Sequence, residues 1–480
     1  MDFKEMQQHL TTLRAAEDTK TVAFIKDHLD THALVFDLSN RFLFDQACAQ
    51  LISSLKAHFL KRNSLKKLCL QNVMLETQRL NAVLKGLLEV RRPLALRYLD
   101  IGNNRIDLAE DTADLLSRLL SKRVNSQAKT LILQGNTLQN PAAVAMLFAH
   151  CGTLAELNLY DTRLSVEALA ALAEALANDA KIKRLDLGYN AGAFSDVEVI
   201  EAFGNGVALN SHLEHVNLGG NNTLQKPKRL TALCSTLKAT SSLESLGVGG
   251  LNLCDQGLDL LLTHLRTSPI CILDLHNNSI SAAGFLSLFS ELPTCLSSLD
   301  LSYNQINDPR TLLLLAQALT QTRNLRCLNI SHSIEIEELS FKVKQALGEA
   351  LKVNDSLTEF YCEGAKIGDD PDDFCDVLGE AISERRLSLT FKISAVNCFQ
   401  AGYSHLSSSY QSLSSQPSRE KIISVIPSLA VSPSVPAQVN STLQTERRNC
   451  EAESREASLS ATPREYCFTS ESQPDKSAAS

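Results

Sequence analysis

One column of this sequence is rich in side chains that accept hydrogen bonds. At intervals of 26 to 32 residues the chain places Cys69, Asp100, Ile132, Asn158, Asp186, Asn217, Gly247, Asp274, Asp300, Asn329 and Tyr361 at the same point of a recurring phrase. Seven of the eleven are Asp or Asn, and Tyr98, Tyr160, Tyr189, His276, Tyr303 and His332 flank them. This is recognition chemistry: carboxylates and amides for basic or hydrogen-bond-donating groups, with rings as anchors. The same residue types also do the plain work of keeping a surface soluble, and the two readings stand side by side at this point.

Reaction chemistry has no comparable signal. Gly204-Asn205-Gly206 opens a phosphate-loop-like pattern that fails at Leu209, where its third glycine belongs. There is no His-Glu-x-x-His, nucleophile elbow or P-loop. The 13 cysteines are odd in number and scattered, without a Cys-x-x-Cys pair, which argues against both a zinc set and a disulfide framework and points to a reducing compartment. Cys234 and Cys362 fall where small core residues belong, and Cys398, Cys450 and Cys467 fall where nothing fixed would activate them. We therefore expect no catalytic residue, no metal and no cofactor.

A formal charge of -8 with no basic run argues against nucleic acid as partner. Met1 to Met6 lack the basic start of a secretory signal, and the apolar stretch Ile422 to Val431 is too short and interrupted to span a membrane.

The elements that must position the column follow from period. Eleven phrases open at Leu65, Leu96, Ala128, Leu154, Ile182, Leu213, Leu243, Ile270, Leu296, Leu325 and Leu357, with a weaker one at Ala33. Leu157-Asn158-Leu159 shows the alternation of a short strand, its intervening side chain facing away from the core. Ser165 to Asn178 then shows helical spacing, with Leu169, Leu172 and Leu176 on one face, Ser165 as N-cap and Asn178 as stop. Asn140-Pro141 and Asp308-Pro309 are further helix starts. Strands about 4.8 Å apart and helices about 8–10 Å apart cannot stack straight, so the sheet lies inside the curve and the helices outside.

Just past each strand a second column holds Asn104, Asn136, Asn190, Asn221, Asn278 and Asn304. Their amides are expected to be buried and to satisfy loop backbone, each contributing about 1 kcal/mol net. Val73, Thr162, Leu251, Ser333 and Ala365 stand in this place elsewhere. Gly219-Gly220, Gly247 and Gly249-Gly250 leave the middle units nearly bare, open to close approach by a partner or simply poorly specified.

Residues 1–32 read as an N-terminal helical cap, with Leu10, Leu13, Phe24, Ile25 and Leu29 at helical intervals. Residues 33–393 form the repeats, about 11–12 units, and Arg386 to Val396 is a candidate last edge strand. Residues 394–480 are Ser-rich with six Pro and are expected to be disordered; Ile422 to Ile426 is their one apolar island, either a docking motif or incidental.

The strand phrases and Ala/Leu-rich helices resemble the ribonuclease-inhibitor class of leucine-rich repeats. That resemblance implies an α/β fold: a right-handed leucine-rich-repeat solenoid, or horseshoe, with a concave parallel β-sheet and convex helices. The layout also resembles the leucine-rich-repeat effectors that Legionella and related bacteria deliver by type IV secretion. Glu446, Glu451, Glu453, Glu456 and Glu465 before Ser477-Ala478-Ala479-Ser480 are similar to the C-terminal signals of such substrates. This implies delivery into the host cytoplasm and a host protein as partner. The binding residues expected on the concave face are Tyr98, Asp100, Asn158, Tyr160, Asp186, Tyr189, Asn217, Asp274, His276, Asp300, Tyr303 and Asn329. The alternative is a regulator acting on a partner enzyme, since the repeat class also resembles that of Ran GTPase-activating proteins.

Overall fold

The computed structural model describes residues 3–396 apart from 31, 122, 150–152, 179, 238–239, 267, 291, 369–370 and 385–388. The segment from residue 397 onward, which includes most of the Ser-rich tail, its apolar island and its glutamates, lies outside the described residues.

Eleven three-residue strands carry the phrase: β1 (Val35–Asp37), β2 (Lys67–Cys69), β3 (Tyr98–Asp100), β4 (Thr130–Ile132), β5 (Glu156–Asn158), β6 (Arg184–Asp186), β7 (His215–Asn217), β8 (Ser245–Gly247), β9 (Ile272–Asp274), β10 (Ser298–Asp300) and β11 (Cys327–Asn329). They pair in chain order, parallel and in register, so Asp186 sits beside Asn217 and Asp300 beside Asn329. After them come β12 (Glu335–Ile336), β13 (Glu359–Ile367) and β14 (Thr390–Val396). β13 is long enough to take β11 and then β12 on one edge and β14 on the other, where the register shifts between Cys362 and Ala365. β14 occupies most of the stretch expected to form a last strand.

Each strand is short because one residue, the central one, points into the core. Leu99, Leu131, Leu157, Leu185, Leu246, Leu273, Leu299 and Leu328 are all buried, and so are the eleven phrase-opening residues, none more than 3 % exposed. One continuous apolar cluster runs from Ile25 to Ile382. A parallel sheet needs a crossover between neighbours, and a right-handed helical return supplies it.

Helix starts follow the sequence signals. Ser165 accepts from the Ala168 N–H, Asn140 from Ala142 and Ala143, and Asp308 from Arg310, each relieving a first-turn donor. The helix Asp45–Lys61 has no such cap of its own. Asp18, buried in the helix Phe3–His28, reaches across to accept from the Gln46 and Ala47 N–H groups at 3.0 Å each. That bond ties the first helix to the first repeat. Ile25 and Leu29 of the expected cap are buried, whereas Leu10 and Leu13 are 43 % and 49 % exposed: their helical spacing marks a face that the repeats do not cover.

Candidate functional site

The inner face of the sheet is built by three positions per unit. The last strand residue forms the Asp/Asn column, the residue two further on a second, and the residue three further on a third. Asp37, Asp100, Asn158, Asp186, Asn217, Asp274, Asp300 and Asn329 each accept the backbone N–H two residues ahead, at 2.9 to 3.0 Å. This local turn closes the strand end and explains why the column favours these two residue types. It was not legible from solubility or recognition arguments. Side chains also link across strands, Asn217 Nδ2 donating to Asp186 Oδ1 at 2.9 Å and Asn329 Nδ2 to Asp300 Oδ2 at 3.0 Å.

Three residues beyond the Asp/Asn column position the backbone is left-handed in each of the twelve units described. Asn40, Asn72, Asn103, Gly135, Asp161, Gly220, Gly250, Asn277 and Gly364 adopt φ between 50° and 74° there. These nine of the twelve places use Gly, Asn or Asp, which adopt such a φ readily; a bulkier side chain costs about 1–2 kcal/mol. The other three are Tyr189, Tyr303 and His332, at φ 55°, 57° and 56°. All three are exposed, Tyr189 by 57 % and Tyr303 by 58 %. Tyr160 and Tyr189 lie with ring centroids 5.0 Å apart, and Tyr303 stacks on His332 at 4.7 Å.

The glycines of the middle units are not simply bare. A Cβ on Gly188 would meet the Tyr160 ring at 2.8 Å, one on Gly220 the Tyr189 ring at 2.4 Å, and one on Gly249 His276 Nδ1 at 2.1 Å. They are floors on which neighbouring rings lie. A Cβ on Gly250 would make only ordinary contact, its nearest neighbour being the Gly220 nitrogen at 3.5 Å.

Burial sets the electrostatics of the strip. Loss of water raises the carboxyl pKa of Asp100, Asp186 and Asp300 above the ordinary range, against hydrogen bonds that lower it. His276 is raised by its 2.7 Å bond to Asp274, whereas His215 is lowered by burial. The Tyr160 hydroxyl is pushed up to about 12, first by burial and then by the charges around it. At the two ends of the face the protein supplies its own cations. Lys67 Nζ stands 4.3 Å from the Tyr98 ring and its charge acts on Asp100, while Lys392 Nζ stands 6.0 Å from the Tyr361 ring.

Behind this face runs the asparagine column. Asn190 Oδ1 accepts from the Thr162 and Leu164 N–H groups of the preceding unit, and its Nδ2 donates to Leu159, Leu187 and Gly188 carbonyls. Asn104, Asn136, Asn278 and Asn304 take two backbone donors of the preceding unit in the same way, and Asn221 takes one. All six are buried. Ser333 continues the pattern in part, accepting from Asn304 and donating to Leu301.

Gly204 and Gly206 lie inside the helix Val197–Leu209, where a phosphate cradle cannot form. Cys234 and Cys362 are buried, with thiols raised by loss of water, Cys234 to about 12. Among the described residues no group of three His, Cys, Asp or Glu side chains is placed to hold a metal, and no helix is long and apolar enough to cross a membrane.

No family model matches the chain. Over 144 residues, 28 % of its length, it is 33 % identical to the mouse protein NACHT, LRR and PYD domains-containing protein 12, and the match spans 13 % of that protein. Among solved structures it is similar to the leucine-rich repeat-containing protein LegL7 from Legionella pneumophila, at 17 % identity and TM-score 0.41, covering 59 % of this chain and 87 % of that one. It is also similar to a chain of the yeast Rad7 and Elc1 complex, at 16 % identity and TM-score 0.45, covering 83 % of this chain and 97 % of that one. A chain of the TLR13–ssRNA13 complex gives 16 % identity, TM-score 0.39, and coverage of 75 % and 45 %. A leucine phrase repeated in parallel register, with six buried asparagines each bonding its turn to the one before, gives this chain the fold of a leucine-rich-repeat solenoid.

Proposed function

We propose that this chain is a binding module without reaction chemistry of its own, holding a partner protein on the inner face of its sheet. The observation that carries this reading is the placement of Tyr189, Tyr303 and His332. Three exposed aromatic side chains occupy a left-handed backbone position that the other units give to Asn, Asp or Gly. Exposed rings are the usual anchors of a protein interface.

The test compares the proteins captured from a eukaryotic cell lysate by the intact chain and by a Tyr160→Ala/Tyr189→Asn/Tyr303→Asn variant. A partner retained by the first and lost by the second, with both proteins melting alike, is the expected result; identical captures would remove the basis for the reading.

A finer reading makes the chain a bacterial effector acting on a host protein. Its support is compositional, the glutamates Glu446 to Glu465 and the small polar residues 477–480. Residues 394–480 fused to a translocation reporter should then be delivered by a type IV-competent strain and not by its secretion-deficient mutant.

A further inference from the structure

Four places on the inner face combine a tyrosine ring with a carboxylate, and two of them already have a lysine. At the first end Tyr98 and Asp100 share Lys67, which stands 4.3 Å from the ring. At the last end the Tyr361 hydroxyl donates to Glu359 at 3.2 Å, with Lys392 over the ring. The two inner places are Tyr160 and Tyr189 with Asp186, whose charge acts on Tyr160, and the matching positions of β10, where Tyr303, stacked on His332, stands three residues beyond Asp300 as Tyr189 stands beyond Asp186. Among the described residues no Lys or Arg lies over these rings or pairs with these carboxylates. Asp186 Oδ1 takes the Gly188 N–H and the Asn217 amide, which leaves Oδ2 without a donor. Asp300 takes hydrogen bonds only from the neutral Ser302 and Asn329, while the Asp274–His276 pair, 2.7 Å apart on the neighbouring unit, acts on it through space. Arg184 and His215 stand one row back on β6 and β7, and no bond from either reaches Asp186.

A half-buried carboxylate beside an electron-rich ring face is a site for a cation, which gains from both. The protein sets its own lysines beside this combination at the ends and pairs Asp274 with His276 between the two inner places, but sets no Lys or Arg beside Asp186 or Asp300. Resting on the inner-face reading above, we propose that the two inner sites each take one cationic side chain from a single extended, basic segment of a partner protein. The segment lies across β6 to β10, over the Tyr189 and His276 rings that rest on the glycines following β7 and β8. Four strand spacings of about 4.8 Å separate the sites by about 19 Å, and an extended chain covers about 3.3 Å per residue. The two cations are therefore about six residues apart. Phosphate-bearing ligands are disfavoured by the same carboxylates.

The test uses the full chain and fluorescence anisotropy with a labelled Gly/Ser/Thr peptide carrying two arginines six residues apart. Control peptides carry Gln at both places, carry the arginines adjacent to each other, or carry Tyr at both places. Two protein variants accompany them: Asp186→Asn/Asp300→Asn and Tyr189→Asn/Tyr303→Asn. Asn already serves the same column in β5, β7 and β11 and the same left-handed place at positions 40, 72, 103 and 277, so both variants keep the local turns. Their thermal midpoints should be no lower than the parent's, which separates lost binding from lost folding.

The spaced arginine peptide should bind about tenfold or more tightly than the Gln and adjacent-arginine peptides. Either protein variant should abolish that advantage. Equal affinity for the arginine and Gln peptides, or indifference to Asp186→Asn/Asp300→Asn, would overturn the proposal. If the Tyr peptide or a captured partner instead depends on the tyrosine variant alone, the cation inference falls and the inner-face reading stands. If neither variant alters any binding, both fall.

Discussion

Asn190→Ala is expected to destabilise the repeats by about 3 kcal/mol, far more than the net worth of one hydrogen bond. The Asn190 carboxamide is the partner of the Thr162 and Leu164 N–H groups, at 3.1 and 2.9 Å, in a place no water reaches. Removing it leaves both donors buried and unpaired, each at about 1–3 kcal/mol. The carbonyls fare better: Leu159 keeps the Thr162 hydroxyl at 2.8 Å and Leu187 keeps Asn221 at 3.0 Å. Asn190→Asp should be at least as harmful, because a carboxylate cannot donate to the three carbonyls that Nδ2 now serves. Urea unfolding followed by circular dichroism measures the loss, and amide exchange at Thr162 and Leu164 should accelerate with it. Asn205→Ala, at an exposed helix position, is the control. A change at Asn190 no larger than that of the control would mean that the amide column does not join the units.

The second large effect is expected at Gly206. A Cβ there would lie 2.5 Å from the Ala173 carbonyl oxygen and 3.3 Å from Leu176 Cβ, so two adjacent helices meet over this glycine. The obstacle is backbone, which cannot turn aside as a side chain can. Gly206→Val must push the helix Val197–Leu209 away from Val166–Ala177, and overpacking of this kind costs about 1–3 kcal/mol or more. Gly379, inside the helix Pro371–Ser383, has nothing within 4 Å of its would-be Cβ. Gly379→Ala should accordingly stabilise by about 0.5–1 kcal/mol through helix propensity. Opposite shifts of the two melting midpoints are expected, and a Gly206→Val protein that melts with the parent would show that the helices are not held at this contact.

The repeats were legible because burial recurs. Each opening residue from Leu65 to Leu357 lines the core, so the spacing of apolar residues alone located the strands. Helix starts at Ser165, Asn140 and Asp308 were legible for a local reason, a capping side chain within three residues of its donor. What escaped lay in relations that sequence order hides. Asp18 caps a helix 28 residues ahead, and no short motif announces such a bond. The left-handed column mixes Asn, Gly, Asp, Tyr and His, so no residue type marks it, and only the common backbone angle identifies it. The Asp/Asn column was read for what it offers a partner, whereas each oxygen also closes its own turn, as between Asp300 and Ser302. The middle glycines read as gaps because the rings that lie on them come from neighbouring units. Leu10 and Leu13 kept a helical rhythm that tertiary packing does not use.

The amide column also has a direction. Each asparagine secures the turn of the unit before it, as Asn136 does for Asn104 and Ile106, and never that of the unit after. A chain leaving the ribosome therefore holds its newest turn unsecured until another 26 to 32 residues have emerged. Folding during synthesis would lag translation by one repeat, and a ribosome stalled within a unit would expose that single loose turn to proteases.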